Sequence, residues 1–184
     1  MPPLAVTMGE PAGVGAELTL MAWGRRRANS LPSFYLLDDP GRISALSRKL
    51  DLGVPVRTVE SPAEAAECFS SVLPVLPHPP NAEITPGRPD PANAAAVISA
   101  IDRAVAAARA GEAAGVVTNP VHKRTLYAAG FRDAGHTEYL GRLAGVSRPV
   151  MMLVCARLRV VPVTMHLALR DAVASLRRED IVAA

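Results

Sequence analysis

Between Gly115 and Leu140 the chain reads G-V-V-T-N-P-V-H-K-R-T-L-Y-A-A-G-F-R-D-A-G-H-T-E-Y-L, and a second polar cluster, T-M-H-L-A-L-R-D, spans Thr164–Asp171. Three of the chain's four histidines lie in these two segments. An apolar run at Ala113–Val117 delivers an amide, an imidazole and an ammonium; His136, Thr137 and Glu138 then add a second imidazole, a hydroxyl and a carboxylate. These are the groups of a ligand site. Imidazole binds divalent transition metals, and His136 and His166 each have a threonine close by to hydrogen-bond around a bound ion. Yet separations of fourteen and thirty residues among His122, His136 and His166 match no local metal signature, and an isolated histidine is more often structural. Lys123 and Arg124 could hold a phosphate or carboxylate, and a lysine in a dry cleft can move protons; a solvated surface lysine is the ordinary reading.

The elements that must carry these groups follow from local patterns. Leu4–Met8 suits a buried strand, followed by a glycine loop at Gly9–Gly15 and a helical pattern through Glu17, Leu18, Leu20, Met21 and Trp23. The loop spacing, G-x-x-x-G-x-G, matches neither the dinucleotide fingerprint nor the P-loop, so a tight turn and a ligand loop stay equally open. Phe34–Leu37 is a second strand. Asp39 then caps a helix over Ile43–Leu50 with Pro40 at its first position, although an acid at this point could instead hold a ribose. Val54–Val59 is a third strand, and Ser61-Pro62-Ala63-Glu64 is a capping box opening a helix toward Phe69.

Seven prolines between Pro74 and Pro91 exclude a helix or central strand there, and His78 among them reads as a surface loop residue. Ala92–Ala110 is a helix stopped by Gly111, and it feeds the Ala113–Val117 strand. Glu138–Leu143 is a helix, Pro149–Val154 a buried strand and Leu158–Thr164 another, joined as a hairpin; Leu169–Ala184 is helical with no stop signal, as if cut from something longer. Alternating strands and helices predict an α/β fold whose largely parallel sheet has its directions mixed by the hairpin. Ligands in such sheets bind at the carboxyl ends of strands, which selects the loops Gly9–Gly15, Thr118–Lys123 and the segment after Thr164.

Composition bounds the function. At 184 residues and 49% apolar, the chain can bury a core as one domain or two small ones. No apolar run reaches the roughly 20 residues of a membrane span, and the N-terminus lacks a signal peptide pattern, so a cytoplasmic protein is expected. Cys68 and Cys155 are isolated and read as reduced, structural thiols. A net charge of +3, with short arginine clusters and no interleaved aromatics, gives no support for nucleic-acid binding and is compatible with a small anionic substrate.

Four segments taken together, T-M-G-E-P-A-G-V-G-A-E-L at Thr7–Leu18, T-N-P-V-H-K at Thr118–Lys123, A-G-H-T-E-Y-L at Ala134–Leu140 and L-R-V-V-P-V-T-M-H-L-A-L-R-D at Leu158–Asp171, resemble the 4-hydroxythreonine-4-phosphate dehydrogenase family of vitamin B6 synthesis. The resemblance implies an isocitrate/isopropylmalate dehydrogenase-like α/β fold, two α/β lobes around a cleft, here truncated: 1–120 as part of the first lobe and 121–184 as the start of the second. It implies an enzyme, active as a homodimer, that oxidises and decarboxylates 4-phosphohydroxy-L-threonine to an amino-ketone phosphate with NAD and a divalent metal (Zn, Mg or Co). Position by position, it implies that His136 and Thr137 bind substrate and that His166 is one metal ligand. Lys123 matches the family's lysine in the loop between the lobes, Ala16 replaces a common proline, and no residue is assigned to NAD. Family members are about twice as long, and the remaining metal ligands and most of the NAD site fall in the part absent here. The chain alone is therefore expected to be inactive. A paralogous dehydrogenase of 4-phospho-threonate and a non-catalytic fragment are the competing readings.

Overall fold

The computed structural model describes residues 1–133, 135–146, 149–164 and 167–184. They form two compact units, Met1–Arg132 and Asp133–Ala184. The first is built on a five-stranded parallel sheet. Its strands β1 (Leu4–Val6), β2 (Phe34–Asp38), β3 (Val56–Thr58), β4 (Leu73–Pro77) and β5 (Gly115–Val117) lie in the order β3-β4-β2-β1-β5.

The helices α1 (Gly15–Gly24) and α2 (Pro40–Lys49) pack on one face. On that side Phe34, Leu36, Val6 and Val75 meet Leu20, Trp23 and Ile43. The other face carries α3 (Pro62–Cys68), α4 (Ala94–Arg109), which follows a single 3-10 turn at Pro91–Asn93, and α5 (Lys123–Ala128); there Ala5, Tyr35 and Leu37 meet Ala65, Val97, Ala104 and Leu126. Strand β2 is buried along its whole length because alternate side chains serve both cores, as a strand of a doubly covered parallel sheet requires. The packing of Leu126 in the α4 cluster keeps α5 in the first unit.

Local capping chemistry sets the helix starts as read from the sequence. The Asp39 carboxylate accepts from Arg42 N–H at 2.6 Å, and the Ser61 hydroxyl from Glu64 N–H at 3.3 Å. The capping box is half made, since Glu64 accepts from Glu60 N–H at 3.0 Å instead of reaching back to Ser61.

The proline-rich segment departs from expectation. Leu73–Pro77 is an interior strand, between β3 and β2. Pro74 and Pro77 are tolerated because their missing N–H groups fall where no partner waits. Leu73 N–H donates to Pro55 and Val75 C=O accepts from Val59, so Leu73 and Val75 face β3 while Pro74 faces β2, whose pairing starts only at Leu36–Val75. Pro77 faces β3, whose pairing ends at Thr58–Val75.

His78 is likewise not a surface residue: it is 8% exposed. Its N–H donates to Asp38 C=O at 2.9 Å, its Nε2 lies 2.9 Å from Ala96 C=O and 3.0 Å from Ser99 Oγ, and Arg103 reaches its Nδ1 at 2.9 Å. The ring ties the end of β4 to α4.

The second unit holds α6 (His136–Ala144), the antiparallel pair β6 (Leu153–Val154) and β7 (Arg159–Val160), and the short helices α7 (Leu169–Ser175) and α8 (Arg178–Ala183). The expected hairpin forms, but as a separate two-stranded sheet, so the main sheet stays parallel. Its strands are not buried: Leu153 is 59% and Val154 64% exposed. The expected long C-terminal helix is broken at Leu176, whose backbone turns extended, and neither piece buries a residue. Cys68 is partly buried, where burial pushes its thiol up and keeps it protonated; Cys155 is exposed. Among the described residues no helix is long and apolar enough to cross a membrane.

Candidate functional site

The two loops at the carboxyl ends of β1 and β5 do come together, and at atomic detail they form a closed junction. Gly9 has φ +68°, and a Cβ there would lie 2.6 Å from Pro120 C=O and 2.7 Å from Asn119 Cβ. A Cβ on Gly15 would lie 2.8 Å from Met8 C=O and 3.0 Å from Asn119 Cβ. Both glycines exist to admit the β5 loop.

Asn119 is the clamp. Its Nδ2 donates to Thr7 C=O and to Thr19 Oγ1, each at 2.9 Å, and its N–H donates to Thr7 Oγ1 at 3.2 Å. Three of the loop's backbone donors are taken: Glu10 N–H by Pro120 C=O at 2.8 Å, Ala12 N–H by the buried Glu10 carboxylate at 3.1 Å, and Gly13 N–H by Glu10 C=O at 2.9 Å. The loop's acceptors bind it to its neighbours, as Gly87 N–H donates to Ala12 C=O at 2.8 Å and Arg42 Nη1 to Pro11 C=O at 3.4 Å. A phosphate cradle needs free, convergent N–H groups. In this conformation the loop serves as a packing turn.

The acid at the end of β2 is equally committed. Asp38 is fully buried, with Oδ2 2.5 Å from Arg42 Nη2 and Oδ1 accepting from Arg42 Nε at 2.9 Å and Asp39 N–H at 2.7 Å. Burial pushes its carboxyl up, against the pull of the Arg42 guanidinium in the opposite direction. Asp38 is thus committed to the protein, whereas Asp39 spends one carboxylate oxygen, Oδ1, on the Arg42 N–H.

Beyond the clamp, His122 stands at the N-cap of α5 with its Nδ1 hydrogen-bonded to the buried Thr125 hydroxyl, and Lys123 follows on the exposed side of the same turn. Threonine thus fixes the ring of His122, as a neighbour of a chemical histidine would.

The substrate residues expected from the resemblance, His136 and Thr137, are in the second unit. They open α6 side by side and are half-buried. Gly135 precedes them in extended conformation, and the start of the helix has no side-chain cap. The rest of α6 is braced. Tyr139 and Gly141 are buried, Gly141 abuts Pro149, and the helix ends at Gly145 in the left-handed conformation. Arg142 grips Asp133 at 2.7 and 3.2 Å while lying 4.9 Å over the Tyr139 ring. The guanidinium of Arg142 holds the Asp133 carboxyl below the usual range.

His166, the expected metal ligand, lies outside the described residues. Among the described residues no three His, Cys, Asp or Glu side chains gather to hold a metal ion. The clamp role of Asn119, the Asp38–Arg42 pair and the His78 network went unread in the sequence. Only Asn119 had a signal, its place between a β-strand and a proline in T-N-P.

Comparison with known proteins agrees with this architecture. The family model described as pyridoxal phosphate biosynthetic protein PdxA matches residues 35–184. The 4-hydroxythreonine-4-phosphate dehydrogenase of Bradyrhizobium diazoefficiens is 48% identical over 191 residues, covering 98% of this chain and 55% of its own. That of Methylorubrum extorquens is 46% identical over 187 residues, covering 98% and 53%. Crystal structures of 4-hydroxythreonine-4-phosphate dehydrogenases from Burkholderia phymatum and Klebsiella pneumoniae superpose with TM-scores of 0.83 and 0.82 at 28% identity, each covering 98% of this chain and 55% and 56% of theirs. The chain thus spans about half the length of the relatives it matches, in their parallel-sheet α/β fold. It belongs to the PdxA family of pyridoxal phosphate biosynthetic proteins.

Proposed function

We propose that the chain carries the substrate-gripping part of a 4-hydroxythreonine-4-phosphate dehydrogenase. The observation that carries this is the G-H-T-E turn at the start of α6, within the matched residues 35–184. An imidazole and a hydroxyl stand next to each other, half-buried, at a helix start whose N–H groups have no side-chain cap. Such a turn suits a phosphorylated, hydroxylated amino acid: the helix start favours the anion, His136 and Thr137 hydrogen-bond to the substrate's polar groups, and the braced remainder of α6 keeps both in place.

The whole reaction would be oxidation of 4-phosphohydroxy-L-threonine with hydride passing to NAD, followed by loss of carbon dioxide to leave an amino-ketone phosphate. A divalent metal would supply charge stabilisation, with His166 as one of its ligands. These requirements, a cytoplasmic location and a homodimeric state belong to this proposal for the whole protein. The described residues support no metal or NAD step, so none is assigned to them.

Calorimetric titration of the purified chain with 4-phosphohydroxythreonine tests the proposal. Saturable binding should be seen, weakened about tenfold or more by His136→Ala and less by Thr137→Val, with an unchanged thermal melt. Binding indifferent to both substitutions refutes the assignment. NADH formation by the chain alone, with NAD and metal, would refute its being a partial site.

A further inference from the structure

Between α3 and α4 of the first unit lies a groove of about 400 Å³, a volume in the range of small-molecule sites. Tyr35 of β2 lines it. That side chain is 1% exposed, yet among the described residues its hydroxyl has no hydrogen-bond partner. A phenol at this depth ordinarily finds one, and phenylalanine would serve the core equally well. Burial pushes the phenol pKa up and keeps it a neutral donor, while Arg103 pulls it down and Glu112 up, so both charges act on the hydroxyl. Arg103 Nη1 is spent on Pro77 C=O at 2.8 Å and on His78 Nδ1 at 2.9 Å; its Nε and Nη2 have no partner among the described residues. The exposed carboxylates of Glu60 and Glu112 are likewise unpaired there, and Leu37 and Leu76 make part of the lining apolar.

These groups select among occupants by charge. A simple anion satisfies Arg103 but meets two carboxylates, and a simple cation satisfies the carboxylates but leaves the free Arg103 donors and meets their charge. A molecule with one anionic and one ammonium group uses both signs, and an apolar body covers Leu37 and Leu76. We propose that the groove binds a free α-amino acid with an apolar side chain, its carboxylate paired with Arg103, its ammonium with Glu60 or Glu112, and one polar end bonded to the Tyr35 hydroxyl. All the groups belong to the first unit, apart from His136 and Thr137, so this site and the substrate assignment stand or fall separately.

Calorimetric titration of the 184-residue chain with L-phenylalanine and L-leucine tests the proposal. At least one should bind saturably with Kd about 1 mM or tighter. Phenethylamine, which lacks the carboxylate, and 3-phenylpropionate, which lacks the ammonium, should each bind about tenfold more weakly than phenylalanine. Tyr35→Phe removes only an unbonded hydroxyl, so it should weaken binding about fivefold with a melt no lower than that of the parent chain. Glu112→Gln, at an exposed position, should weaken binding while the fold is kept, and His136→Ala should leave it unchanged. Absence of saturable binding by both amino acids overturns the proposal, as does binding indifferent to both Tyr35→Phe and Glu112→Gln. An analogue that binds as tightly as phenylalanine overturns the requirement for both charges. Binding lost in His136→Ala overturns the location in favour of the α6 turn.

Discussion

The glycine loop and the first turn of α6 present the same kinds of polar atoms and use them in opposite ways. At Gly9–Gly15 the backbone donors of Glu10, Ala12 and Gly13 end on the protein itself, and Asn119 closes the loop from the β5 side. At Gly135–Glu138 an imidazole and a hydroxyl stand half-buried beside the helix start. A glycine-rich turn between a strand and a helix is therefore not by itself a ligand loop. What decides is whether polar side chains stand beside it. Substitutions that harm the first region should cost stability, whereas those in the second should cost binding.

The largest effect is expected where the junction admits no extra atom. Gly9→Val must place a Cβ against Pro120 C=O and adopt a positive φ, so it should destabilise the first unit by about 4 kcal/mol or more, or prevent folding, as read by urea denaturation. Asn119→Ala removes two donated hydrogen bonds and leaves the buried Thr7 C=O short of a partner; a loss of about 2–3 kcal/mol is expected. If either variant folds normally yet fails to bind 4-phosphohydroxythreonine, the division between the two regions is wrong. Ser61→Ala should cost about 1 kcal/mol by uncapping α3.

The smallest effect concerns the bracing of α6. Because Arg142 lowers the folded-state pKa of Asp133, the pair contributes above the unfolded carboxylate pKa, and that contribution is lost as pH falls through the lower folded value. The pair is largely exposed on the arginine side, so Asp133→Asn should cost less than about 1 kcal/mol near neutrality and nothing in acid. A pH series of melts for the two proteins should converge at low pH; curves that stay parallel would remove Asp133 from the brace.

Much of the first unit was legible because its signals are local. The F-Y-L-L run of β2 is apolar on both faces, and Asp39 and Ser61 cap helices through atoms three residues away. Strand β4 was not legible, because whether Pro74 and Pro77 break a ladder depends on which neighbour each faces, and that is set by strands far away in sequence. His78 was misread for the same reason: its partners are Asp38, Ala96, Ser99 and Arg103, and none is adjacent in the chain. In the second unit, patterns apolar enough for a buried strand and a long helix gave exposed β6 and a helix broken at Leu176, since few apolar side chains there find a core to enter. The site was half legible. The G-H-T-E block could be placed by its motif, while the role of Asn119 is visible only from the two glycines it packs against.

Hydrogen exchange of the chain with and without saturating 4-phosphohydroxythreonine separates the two regions most directly. Exchange should slow at the amides of 136–144 and stay unchanged at 9–15 and 118–123. Slowing at the glycine loop with none in α6 would contradict the assignment of substrate binding to His136 and Thr137.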